Sequence, residues 1–117
     1  MMAIDIDRLA VLLDRAAAVE AADQHTRASL ADAEATARQA HRDLQEAEAA
    51  VKLYRGPDAG RELLTQRAEA KRTTYAAHCA SVARKRAAQA EISPRAQAWL
   101  KYSNALRTCA KKHGVQL

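Results

Sequence analysis

Apolar residues in the first half of the chain recur at alternating spacings of three and four. One set of positions, seven apart, holds Leu9, Ala16, Asp23, Leu30, Ala37, Leu44 and Val51; the other holds Leu12, Val19, Thr26, Ala33, Ala40, Ala47 and Tyr54. This is the heptad of a coiled-coil seam. Its diagnostic members are Leu9, Leu12, Val19, Leu30, Leu44, Val51 and Tyr54, because alanine matches almost any register. Asp23 and Thr26 interpose a polar layer, and Ser29 with Asp32 follows at a capping-box-like spacing. Neither Gly nor Pro occurs before Gly56, and strong helix formers dominate, so one continuous helix over about residues 5–55 is expected.

Arg55-Gly56-Pro57-Asp58-Ala59-Gly60 reads as the tip of a hairpin, with Gly56 as a left-handed C-cap and Asp58 as an N-cap. So short a connection makes the flanking helices antiparallel. Helix 2 is expected over about residues 58–91, with an inward stripe of Leu64, Ala68, Tyr75, Cys79 and Val82 into which Lys71 and Arg86 intrude. Ile92-Ser93-Pro94 reads as a second boundary, Ser93 capping a third helix over about residues 94–113 that ends at Gly114. Its seam is Trp99, Tyr102, Leu106 and Cys109. The three helices would span about 75, 50 and 30 Å. Helix 3 then either continues along helix 1 or folds back into a three-helix bundle, and the sequence leaves both open. The expected fold is all-α: an elongated, coiled-coil-like antiparallel helical hairpin with a third C-terminal helix, in a single domain spanning residues 1–117.

Composition sharpens this picture. Alanine supplies 30 residues of the hydrophobic 49%, there is no Phe, and Trp occurs once, so bulk for a globular core is scarce. A seam of small residues lets helices approach closely but buries little area per layer, so a partner chain is expected, and a homodimer through Leu30, Leu44 and Val51 is the simplest. No run of about 20 apolar residues is present to cross a bilayer. Asp5, Asp7 and Asp14 do not suit a secretion or transit signal, so a cytoplasmic location is expected.

The net charge of +5 conceals an asymmetry. Residues 1–54 hold six basic and ten acidic side chains, a balance of −4, while residues 55–117 hold thirteen and four, a balance of +9. The basic half has two clusters: Arg84, Lys85 and Arg86, and then Arg95, Lys101, Arg107, Lys111 and Lys112 around Trp99 and Tyr102. Such charge suits nonspecific contact with phosphates, although three consecutive helical positions spread around the helix and make no single stripe. Trp99 with Tyr102 could anchor the helix 3 core or a protein interface.

Chemistry-bearing motifs are missing. There is no Gly-rich phosphate loop, HExxH or G-x-S-x-G, and no catalytic residue is assigned. None of the four histidines has a glutamate three residues before it, which excludes a di-iron bundle. Cys79 or His78 with Cys109 and His113 makes a poor zinc set, and a Cys79–Cys109 disulfide requires helix 3 to fold back and an oxidising compartment. Neither metal nor cofactor is expected. The expected function is a non-enzymatic protein–protein interaction or assembly module, such as a small adaptor, secretion-apparatus or phage or virion protein. The alternative is a nonspecific nucleic-acid binder using the basic half, or an inhibitor occluding a nucleic-acid site on another protein.

Overall fold

A computed structural model describes residues 5–114. They form two helices, α1 (Ile6–Leu53) and α2 (Asp58–Lys112), with no strand among the described residues. α1 is the continuous helix its pattern predicts. Asp5 caps it, accepting the Arg8 N–H on Oδ1 at 3.1 Å. All fourteen predicted seam positions from Leu9 to Tyr54 are buried or half-buried. The polar layer does not break the helix because its members are satisfied locally. Thr26 donates to the Ala22 carbonyl at 2.8 Å, and Asp23 is bonded on both oxygens.

The third helix is not there. Ser93 and Pro94 lie inside α2, which runs uninterrupted to Lys112. Pro94 has no N–H to give the Ala90 carbonyl, a defect that costs a helix interior about 3 kcal/mol. The phase of the buried positions explains why the helix continues. From Leu64 they run through Ala68, Lys71, Tyr75, His78, Val82, Lys85 and Gln89, then Ile92, Ala96, Trp99, Ser103, Leu106 and Ala110, each buried or half-buried. The spacing alternates four and three throughout, with no skip at Pro94. A break there would turn one flanking stretch off its seam.

The same register corrects the expected stripes. Cys79, Tyr102 and Cys109 are exposed, whereas Lys71 belongs to the seam and Ala96, Ser103 and Ala110 are buried. At the C-terminus Gly114 does take a left-handed conformation, with φ +72°, as a glycine past a helix end should.

The chain divides into two compact units. The hairpin unit comprises residues 29–86. Its core is Ala40, Leu44 and Ala47 of α1 with Ala68 and Val82 of α2. The helices are antiparallel, as the cross-pairs Glu48 with Arg72 and Glu34 with Arg86 require: both pairs of residue numbers add to 120. The terminal unit comprises described residues 5–28 and 87–114. Here Leu9 and Ala16 of α1 are buried, as are Ala96, Ser103 and Ala110 of α2. The Ser103 hydroxyl reaches the Leu100 carbonyl at 2.9 Å.

The turn between the helices departs from the glycine and cap roles expected of it. Gly56 is not left-handed, and the first α2 carbonyl belongs to Pro57, which accepts from the N–H groups of Gly60 at 3.1 Å and Arg61 at 3.4 Å. Asp58 is therefore the first helical residue rather than the cap. The Tyr54 ring folds over the turn, its hydroxyl donating to the same Pro57 carbonyl at 3.1 Å. That ring explains the glycines. A Cβ on Gly56 would stand 2.7 Å from the Tyr54 hydroxyl oxygen, and one on Gly60 would overlap it.

Candidate functional site

One flank of the hairpin unit carries a ladder. At positions seven apart on α1 stand Glu34, His41 and Glu48; opposite them on α2, by the same register, stand Arg86, Cys79 and Arg72. The two outer rungs are ion pairs, Glu34–Arg86 at 3.3 Å and Glu48–Arg72 at 3.2 Å. Their arginines are 66% and 63% exposed, so each pair adds at most about 1 kcal/mol and chiefly sets register.

The middle rung has no pair to form. Cys79 is short and His41 has no carboxylate opposite it, and His41 instead meets Tyr75, ring centroids 5.0 Å apart and planes tilted by 43°. A groove of about 540 Å³ opens at this rung. Its floor is small and apolar, made by the half-buried Ala37, the buried Val82 and, at its exposed edge, Ala83. Its rim carries Arg38, His41 and Arg42 from α1 and Tyr75, Cys79 and Arg86 from α2, with Glu34 the sole acid.

The rim cations are unequally neutralised. Arg86 is bound to Glu34, whereas Arg42 bonds only the neutral Gln39 Oε1, at 2.6 Å, and Arg38 makes no ion pair among the described residues. The Tyr75 phenol titrates above its ordinary 10.0, mainly because of its hydrogen bond to Cys79 and then the repulsion between their ionised forms.

The residues singled out from the sequence lie elsewhere. Leu44 is buried, and Leu30 and Val51 half-buried, in the seam of the hairpin unit, so α2 already covers them. The basic triplet points three ways: Arg84 into solvent, Lys85 into the seam along its aliphatic stem, and Arg86 into the ladder. Arg95, Lys101, Arg107, Lys111 and Lys112 are exposed in the terminal unit, and none is ion-paired among the described residues. Trp99 is half-buried there with Tyr102 edge-on to it, centroids 5.8 Å apart. Both cysteines are free and exposed, and no three His, Cys, Asp or Glu side chains gather among the described residues.

Sequence reasoning missed Arg38, His41, Arg42 and Tyr75. The signal that marks them is the exchange of an acid for His41 between Glu34 and Glu48, mirrored by Cys79 between Arg72 and Arg86. Comparison with protein-family models, with curated proteins and with solved structures returned no match. No helix among the described residues is long and apolar enough to cross a membrane.

Proposed function

We propose that this chain is a non-enzymatic protein–protein interaction or assembly module that works through paired helices, the role of a small adaptor, secretion-apparatus or virion component. The observation that carries this reading is the amount of surface left uncovered. Among the described residues no large side chain is fully buried, while Ile6, Val11, Leu53, Leu63, Leu100 and Tyr102 are each at least 46% exposed. Surface of this kind is what association removes from water.

Affinity capture from the native host, with and without nuclease, tests the reading. A protein retained after nuclease treatment supports it, and nucleic acid alone refutes it. A second reading, nonspecific nucleic-acid binding, is favoured by Arg95, Lys101, Arg107, Lys111 and Lys112 of the terminal unit, exposed and in no ion pair among the described residues, and the same capture decides between them. Self-association is tested by sedimentation, where a strict monomer excludes a homodimer.

A further inference from the structure

We infer that the groove at the His41–Cys79 rung is the docking site for an amphipathic helix of a protein partner, one that presents two carboxylates four residues apart beside a large apolar side chain. The inference rests on the interaction-module reading and names the chemistry of the partner.

Three observations select this occupant. First, the gap is local. The ladder pairs Glu34 with Arg86 one heptad to one side of the rung and Glu48 with Arg72 one heptad to the other, and only the rung between them lacks a pair. Second, the unneutralised cations are Arg38 and Arg42, four residues apart on one helix and so on one face. Carboxylates at the same spacing on a second helix meet both guanidinium groups at once. Third, the floor of Ala37, Val82 and Ala83 is apolar and shallow and can receive a leucine-like side chain between the charges.

A nucleic-acid strand fits less well. Its phosphates repeat without interruption, and a strand laid along this flank would meet Glu34 on one side of the groove and Glu48 on the other. Arg38 and Arg42 stand about one helical turn apart, the spacing of two carboxylates four residues apart on a second helix.

The test uses the full chain and a fluorescent helical peptide built on Ala and Gln, carrying two glutamates four positions apart beside a leucine. Controls are the same peptide with lysines for glutamates and a single-stranded oligonucleotide. The wild-type chain is expected to bind the acidic peptide saturably and the lysine peptide not at all. Arg38→Glu with Arg42→Glu should weaken binding about tenfold or more.

The decisive variant is His41→Glu with Cys79→Arg, which completes the ladder and fills the groove. It should keep the helical circular dichroism and thermal midpoint of the wild type, or raise the midpoint, and lose the peptide. Wild-type affinity in this folded variant overturns the proposal. So does absence of peptide binding to the wild-type chain, or tighter binding of the oligonucleotide that the arginine variants abolish. Self-association of the wild type that the filled groove abolishes also overturns it, by making a second copy the occupant. A nuclease-resistant protein captured equally by the wild type and the filled variant leaves the module reading standing and removes only the groove.

Discussion

The polar layer of the terminal unit can be taken apart with two variants, one that removes a single partner and one that replaces both. Asp23 occupies a seam position at 8% exposure. Its Oδ1 accepts from Gln89 Nε2 at 2.7 Å and its Oδ2 from Arg27 Nε at 3.0 Å, and Arg27 in turn reaches the Ser93 hydroxyl at 3.1 Å. Gln89 Oε1 is buried without a partner. Replacing Asp23 with Ala removes a charge-assisted hydrogen bond and leaves both ends of a half-buried amide unsatisfied, with little apolar gain. The expected loss is about 2 kcal/mol, which lowers a urea midpoint by about 1 M. Arg27, whose side chain is 56% exposed, keeps its water and Ser93 and contributes little to the loss.

Replacing both partners changes the sign. Asp23→Leu with Gln89→Leu leaves nothing unsatisfied between them and puts one leucine into a position as buried as that of Leu9, which is 7% exposed, and the other into a half-buried one. Burying the first is worth about 1.5–3 kcal/mol, against hydrogen bonds whose joint removal is nearly neutral. The double variant should therefore be more stable than wild type by about 2 kcal/mol, although Asp23→Ala alone is less stable. Urea unfolding followed by circular dichroism measures both. An Asp23→Ala midpoint equal to wild type, or a double-leucine variant below it, refutes the reasoning that this layer stabilises only by satisfying its own buried polar groups.

Three further outcomes are expected. Pro94→Ala restores an N–H for the Ala90 carbonyl inside a helix that is already continuous, and thermal melts should show it more stable by about 1–3 kcal/mol. Gly60→Ala should destabilise the wild type, since the new Cβ displaces the Tyr54 ring and its bond to Pro57; in a Tyr54→Ala background the same change should stabilise by about 0.5–1 kcal/mol, because only helix propensity remains. Ultraviolet titration should find the Tyr75 phenol above its ordinary 10.0, and Cys79→Ala should lower it. Because a raised phenol favours the neutral form, its contribution to stability is complete below the ordinary value and is lost as pH climbs through the raised one.

α1 was legible because nothing competes with its pattern: no Gly or Pro punctuates it, and Leu9, Leu30, Leu44 and Val51 hold one register. α2 was misread for two physical reasons. Ser93-Pro94 has the chemistry of a helix start, and this local signal outweighed the phase of Leu64, Tyr75, Val82, Ile92, Trp99 and Leu106, which stays in step across it. Polar side chains also fill much of the seam. Lys71, His78, Lys85 and Gln89 are half-buried and Ser103 is buried, so apolarity alone favours the exposed Cys79 and Tyr102 over the true seam.

The candidate groove was hidden for a different reason. Its residues acquire meaning only through pairing, and pairing needs the register fixed by the turn. With Pro57 just before α2 and Asp58 as its first residue, Glu34 faces Arg86 and Glu48 faces Arg72, and the odd rung of His41 and Cys79 stands out. A seam made largely of alanine has little capacity to discriminate among registers or partners, since every layer resembles the next. Specificity must then be written on the flanks, where charge pairs differ from rung to rung. The rung at which the chain leaves two arginines unanswered over an apolar floor is accordingly where a partner's identity can be read.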